Sequence, residues 1–465
     1  MSILINNALI NGVQRDVWIV GDRIREIAPR LIGIQAEFVI DADGRPAIPG
    51  LHDHHLHLYA MAAAASSIKV GPPEVTNERG FYEALRSVSK EDGTTWIRAI
   101  GYHESVAGKL DRHLLDRAVS DRPVRVQHRS GTLWIFNSMG FKELKLNELG
   151  DPGVERDGAG VPTGRLFHLD KMLRSRLPKW DISLGPTSSF LASRGVTGVT
   201  DATVGTTSSD AASLVKHMES GDLLQRLHLM LPATEILPDS PLISRGPQKI
   251  IIHDQTLPSI DELSDEVAHS HHLGVPVAIH CVTAVQLIIA IEALRQVGTH
   301  HGDRIEHASI VPAELIEALK KLRVTVVTNP TFISERGDEY LLDVRPDDLN
   351  DLYRCASLLR AGVPIAGSTD APFASADPWH AIRAAISRRT VSGRMIGNDE
   401  AIDATTALNL FMGKADAPSI PRRIDIPGQI ADICILEEGL EEIAVRDIQV
   451  TATIVAGQIV YPVCS

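Results

Sequence analysis

An α/β chain built as a closed (β/α)8 TIM barrel, with a small β-sandwich domain formed from both chain termini, is the fold this sequence predicts. Three observations predict it. Strand-like segments punctuated by hairpin turns occupy both ends of the chain, within residues 1–50 and 401–465. Between them, short apolar runs alternate with helical stretches at about one strand–helix–strand unit of ~30 residues. No glycine-rich phosphate turn follows the first buried run, which counts against an open dinucleotide-binding sheet.

In chain order, Ile3, Leu4 and Ile5, then Leu9 and Ile10, precede an Asn11-Gly12 turn; residues 17–20 precede Gly21-Asp22, and Ile24 resumes the pattern. Asparagine and glycine supply the positive φ that a two-residue hairpin turn requires. The far end repeats this character at 432–436, at 449–455, in an Ala456-Gly457 turn and at 459–461. Chain ends often lie close together, so one composite domain is expected from 1–50 and 401–465. The barrel is expected over 51–400. Its apolar runs fall at 124–127, 196–200, 227–231, 249–252, 275–279, 304–306, 324–327 and 364–367, and helical stretches at 260–273, 284–297, 312–322 and 349–361. Strand then helix, repeated, argues for parallel pairing with crossover helices. The stretch at about 58–195 fits this rhythm poorly and reads as an insertion. No solenoid-type repeat is visible.

Composition narrows the functional classes. Hydrophobic residues make up 44% and charged residues 23% of the 465, which is the soluble globular range. The net charge of −13 repels phosphate backbones, so no nucleic-acid partner is expected. No run approaches the ~18 apolar residues of a membrane span, so no membrane partner is expected either. Residues 1–15 lack the basic and apolar regions of a signal peptide. Cys281, Cys355, Cys434 and Cys464 are scattered without a C-x-x-C pair, which suits a reducing cytoplasm. The expected partner is a small-molecule substrate, and self-association is left open. Histidine stands out at 19 residues, and imidazole is the commonest metal ligand.

The densest cluster is Pro49-Gly50-Leu51-His52-Asp53-His54-His55-Leu56-His57. In a strand, residues i and i+2 point to the same side, so His55 and His57 project together as two ligands to one ion require. His52 and His54 fall on the other phase and read as neighbours. Asp53 is in phase with the pair, where a carboxylate can orient a ligand histidine. Lys249, His280, His307 and Asp370 stand at later apolar runs. Lys249 and His280 are 31 residues apart, His280 and His307 are 27 apart, and His307 and Asp370 are 63 apart. These are steps of one, one and two strand–helix–strand units. Polar groups at successive strand ends of a barrel converge on its active face. Other features read as structural: Cys281 as inert packing, His269-Ser270-His271-His272 as a helix C-terminus favoured by the dipole, and at least half of Trp134, Phe136, Phe332, Phe373 and Trp379 as core. His103 and Arg129, inside the insertion, are further pocket candidates.

These residues carry a resemblance. The stretches PGLHDHHLH at 49–57, KLDRHLLDRAVSDRPV at 109–124, DPGVERDGAGVPTGRL at 151–166, GVTGVTDA at 195–202, GVPVAIH at 274–280, RIEHASIV at 304–311, AGVPIAGSTDAPFASADPW at 361–379 and GQIADICIL at 428–436 resemble the metal-dependent amidohydrolases, in particular their YtcJ-like group. The resemblance runs nearly end to end. It implies a barrel of amidohydrolase type, with His55, His57 and Asp370 similar to the ligands of the more buried metal and His280 and His307 to those of a second. Lys249 matches the lysine that binuclear members carboxylate into a bridging ligand; an unmodified ammonium has no lone pair for a metal.

The chemistry implied is hydrolysis of a C–N bond of amide, N-acyl or N-formyl type by water that the metal ionises near neutral pH. Asp370 is the expected catalytic residue, taking the water's proton and passing it to the leaving amine. Imidazole and carboxylate ligands suit Zn2+, as one or two ions, with Mn2+ or Fe2+ as alternatives. A lactone or ester hydrolase and a deaminase are the rival activities on this scaffold. Deaminating relatives set a glutamate three residues after the strand-five histidine, where this chain has Thr283. A non-catalytic scaffold protein is the reading from another class, and retention of all six metal-site residues opposes it.

Overall fold

Parallel pairing dominates the middle of the chain. The computed structural model describes residues 1–72, 74–89, 96–178, 182–254 and 256–461. One parallel sheet orders the strands Ile243–Arg245, Arg226–Leu229, Val196–Asp201 and Leu51–Leu56. A second orders Gln248–Ile251, Val277–Cys281, Arg304–His307, Thr325–Thr328 and Ile365–Gly367. Gly246 and Pro247 separate the two sheets along the chain. Pro247 has no N–H to offer a ladder, and partners change across it: Gly246 N donates to Leu229 O and Gln248 N to Pro276 O, both at 2.8 Å. At the opposite edges, Asp370 N donates to His55 O and His57 N to Ala371 O, both at 2.9 Å. Backbone hydrogen bonds therefore link the segment after the last strand of the second sheet to the carboxyl end of the strand Leu51–Leu56 in the first. The strands read as near-continuous buried runs, as parallel strands covered on both faces do.

The crossover helices begin where side chains can cap them. Ser259 with Glu262, and Thr283 with Gln286, form reciprocal capping boxes that start the helices Ile260–His272 and Ala284–Val297. The expected helix at 312–322 is a 3-10 turn, Ala313–Leu315, leading into Ile316–Leu322. The expected helix at 349–361 is interrupted. A 3-10 segment, Pro346–Asp351, and a short helix, Ala356–Ala361, flank buried Leu352 and Tyr353. Tyr353 N donates to Ser309 O, and its φ of 45° breaks the helical path.

Two four-stranded sheets flank a shared core near the chain ends. One orders Arg23–Ala28, Val13–Val20, Ser2–Ile10 and Phe38–Asp41; the other orders Gln458–Tyr461, Val450–Val455, Ile433–Leu436 and Ala47–Pro49. The second sheet mixes strands from both ends of the chain. Ile3, Ile5 and Ile19 pack in one apolar cluster with Ile433, Ile435 and Ile454. Asn11 and Gly12 both take positive φ, 51° and 76°, at the first hairpin.

The chain divides into two compact units, Met1–Leu58 with Leu184–Ser465, and Tyr59–Ser183. The second unit carries its own six-stranded sheet, ordered Val154–Arg156, Pro162–Phe167, Leu133–Phe136, Val124–His128, Ile97–Tyr102 and Ile68–Lys69. Two apolar clusters pack within it. Buried Asn137 ties its strands together, accepting from Val124 N and Gly140 N and donating to Val119 O and Arg122 O. Among the described residues no helix is long and apolar enough to cross a membrane.

Candidate metal centre

Strand ends bring the polar side chains together. His55 and His57 leave the strand Leu51–Leu56 at its carboxyl end, and Asp370 follows the strand Ile365–Gly367. One ligand atom each from His55, His57 and Asp370 lies within 4.8 Å of the others. His57 Nε2 is 3.3 Å and His55 Nε2 3.7 Å from Asp370 Oδ1. Asp370 and His307 have φ of 57° and 66°. Left-handed backbone is unfavourable for residues with a Cβ and persists where the surroundings impose it. At Asp370 the bond from its N to His55 O contributes to that constraint.

The remaining three residues join the same group. Lys249 Nζ is 3.0 Å from His55 Nε2. The His307 ring lies 4.7 Å from that of His55 and 4.6 Å from that of His280, centroid to centroid. His307 Nδ1 is 3.9 Å from Asp370 Oδ2. All six residues singled out in the sequence thus form one continuous set in the first unit. Desolvation, reinforced by Lys249, pushes His280 down to about 3. Desolvation likewise pushes His55 and His307 well below the ordinary imidazole range. All three rings are neutral at pH 7 and keep a lone pair for a cation. Desolvation lowers the Lys249 ammonium to about 8, against the opposing charges of Glu306 and Asp370.

The other ring nitrogen decides what each histidine can bind. His55 Nδ1 meets Glu306 Oε2. A carboxylate only accepts, so Nδ1 carries the proton and Nε2 presents its lone pair toward Lys249 and Asp370. Burial works against the charge of Glu306, but Arg304 and Lys249 hold its carboxyl below the usual range. Arg304 Nε donates to Glu306 Oε1 at 2.7 Å and Nη2 to Oε2 at 3.0 Å. At His307, Asn329 uses Nδ2 to donate to Ser368 Oγ, which leaves Oδ1 to accept from His307 Nδ1 at 2.7 Å. Sequence reasoning missed Glu306, Arg304 and Asn329. The signal available was a charged pair two residues apart, hence on one face, in an otherwise apolar strand.

Asp53 does not act as expected. Its Oδ1 accepts from His55 N, and its carboxylate accepts from Thr369 N and Thr369 Oγ1, so it pins backbone across two strands rather than orienting an imidazole. His52 is a neighbour, bonded through Nε2 to Thr200 Oγ1 at 2.9 Å. His269, His271 and His272 occupy the last turn of Ile260–His272, and His271 Nε2 pairs with Asp303. Burial pushes the Cys281 thiol up, away from thiolate reactivity; Cys464 lies outside the described residues. Phe136, Phe332 and Trp379 are core residues, whereas the edge of Phe373 meets His57 at 5.5 Å. Trp134 lies in the second unit, with its indole N–H on Asp170. His103 and Arg129 also lie in the second unit.

The donor set suits a divalent cation by its own chemistry. Imidazoles and a carboxylate converge, and the far nitrogens of His55 and His307 are held by acceptors, which leaves the Nε2 lone pairs of those two rings for a cation. The family model described as "Amidohydrolase family" matches residues 38–461. The chain is 25% identical to N-substituted formamide deformylase of Arthrobacter pascens, covering 91% of this chain and 90% of that protein. It is 22% identical to the putative amidohydrolase YtcJ of Bacillus subtilis (strain 168), with the same coverage. An uncharacterized metal-dependent hydrolase from Pyrococcus horikoshii OT3 shares the fold, with a TM-score of 0.77, 18% identity, and coverage of 96% of this chain and 99% of that one.

Proposed function

Because the chain belongs to the amidohydrolase family, we propose that it is a metal-dependent hydrolase cleaving a C–N bond of amide type in a small molecule. An N-acyl or N-formyl amine is the substrate class favoured, the formyl case by likeness to the Arthrobacter deformylase. The observation that carries the reading is the meeting of His55, His57 and Asp370 beside Lys249, His280 and His307. The scaffold is read as a closed (β/α)8 barrel over 51–400 with a β-sandwich from 1–50 and 401–465; backbone hydrogen bonds linking the segment after the strand Ile365–Gly367 to the carboxyl end of Leu51–Leu56 support it.

His55, His57 and Asp370 would hold one cation and His280 and His307 a second, and Lys249, once carboxylated, would add an anionic ligand. Zinc suits this set best, with manganese or iron as alternatives. A divalent cation there supplies Lewis acidity, lowering the pKa of water from about 16 to about 7. Asp370 accepts the proton of the attacking water and returns it to the departing amine nitrogen, so that an amine rather than an amide anion leaves. Glu306 fixes the His55 tautomer, and Arg304 keeps Glu306 ionised. Burial shifts Lys249 toward its free amine, lowering it to about 8; that amine attacks carbon dioxide, and the nitrogen's proton leaves to water as the N–C bond forms, which gives the carbamate. Thr283 caps the helix Ala284–Val297, so its position offers no carboxylate for protonating a ring, which disfavours the deaminase reading.

A hydrolysis screen tests this. N-formyl and N-acyl amines, lactones and aminated heterocycles are offered to the protein after zinc or manganese reconstitution. Amine release from the acyl amines, lost on chelation, is expected. Turnover of lactones alone would overturn the C–N assignment.

A further inference from the structure

A second, cationic chamber lies toward the amino-terminal ends of the parallel strands, away from the metal centre. Two cavities of about 50 and about 120 Å³ share His228 and Ala415 in their walls. Arg226, Arg422 and Asp432 line the smaller; Arg245, Arg304 and Asp416 line the larger. In a chain of net charge −13, four guanidiniums lining two cavities with wall residues in common call for a reason.

Most of the carboxylates nearby are already engaged. Asp432 Oδ2 takes Arg226 and Arg422, each at 3.1 Å, and its Oδ1 takes Ala456 N. Glu306 is shared by Arg304 and His55. Asp416 is exposed. Arg245 donates to the carbonyls of Leu231, Pro232 and Glu235, which leave its charge unneutralised.

Donors remain to be satisfied here. Arg304 is 2% exposed; its Nε and Nη2 serve Glu306 and His54 O, while Nη1 has no hydrogen-bond partner among the described residues. Arg422 Nε, in the wall of the smaller cavity, shares that condition. A buried, charged N–H without an acceptor is costly, and such groups in native proteins point to an ordered water or ion.

We propose that this chamber binds a small inorganic oxyanion of phosphate size, with Arg304 Nη1 as its buried donor. The larger cavity, at about four times the ~30 Å³ share of one water, has room for a tetrahedral oxyanion. The proposal stands apart from the metal reading, although Glu306 links Arg304 to His55.

The test is calorimetric titration of inorganic phosphate into the full-length protein at constant ionic strength. One saturable site and a rise of about 2 °C in the unfolding midpoint are expected. Ala415→Phe, which places a ring at the wall both cavities have in common, should weaken binding by at least roughly tenfold. Arg304→Met, read by phosphate binding alone, should do the same if the bulky variant does not fold. An equal midpoint shift from chloride, no saturable heat, or undiminished phosphate binding in the folded variants would overturn the proposal.

Discussion

Two clusters of histidine and carboxylate stand in this chain, alike in composition and different in what the second ring nitrogen touches. His55, His57 and Asp370 form one; His103, Glu104 and His128, in the second unit, form the other at the same atomic spacing. In the first, Glu306 faces His55 Nδ1, and the lone pair is left on Nε2. In the second, the backbone N–H of Ser130 donates to His128 Nδ1 at 3.1 Å and that of Ser105 to His103 Nδ1 at 3.3 Å. A backbone N–H cannot accept, so the neutral rings carry their proton on Nε2, and His128 donates it to Glu104 Oε2 at 2.9 Å. A cation at either Nε2 would have to displace that proton. In the first cluster His55 offers a lone pair where a cation could sit; in the second the corresponding nitrogen of His128 is committed to donating a hydrogen bond. Residue type and spacing do not distinguish them; the partner of the far nitrogen does.

The comparison can be broken by substitution. The largest effect is expected from Asp370→Asn, which keeps the fold but removes the proton carrier. Turnover should fall by roughly 10²–10⁴-fold, and near-normal rates would take Asp370 out of the mechanism. His57→Ala should lower the metal content of purified protein, whereas His103→Ala and His128→Ala should leave it unchanged; metal loss in the latter pair would erase the distinction drawn here. Glu306→Gln keeps the shape but weakens the acceptor on His55, and metal affinity measured by competition with a chelator should drop about 10–100-fold.

The smallest effect concerns pH. Desolvation, helped by Arg304, pushes His228 down to about 3, so at lower pH the unfolded chain binds a proton that the folded chain refuses. Stability from this group is complete above the unfolded value of about 6.5 and is lost as pH falls from there toward 3. In metal-free protein, His228→Gln should flatten the decline of the unfolding midpoint between those limits. An unchanged slope would place the sensitivity elsewhere.

What could be read beforehand followed from periodicity. The i, i+2 rule selected His55 and His57 over His52 and His54, and the strand–helix spacing reached Lys249, His280, His307 and Asp370. Their supporting residues were hidden for a physical reason. Glu306 and Asn329 act across strands, on partners 251 and 22 residues away in the chain, and no local pattern reports such contacts. Asp53 misled because phase fixes the side of a sheet, not the reach of a carboxylate; its donors are the amides of His55 and Thr369 and the Thr369 hydroxyl. The helix expected at 349–361 failed because burial of Leu352 and Tyr353, a tertiary demand, outweighs helical propensity.

The most direct test of the central claim is the transition-metal content of the purified full-length protein, before and after zinc reconstitution and dialysis. One or two ions retained per chain, and lost in His55→Ala, is the result expected. Protein that holds no ion after reconstitution, or a His55→Ala variant that holds as much as the unaltered chain, would contradict the claim that these six residues form a metal centre.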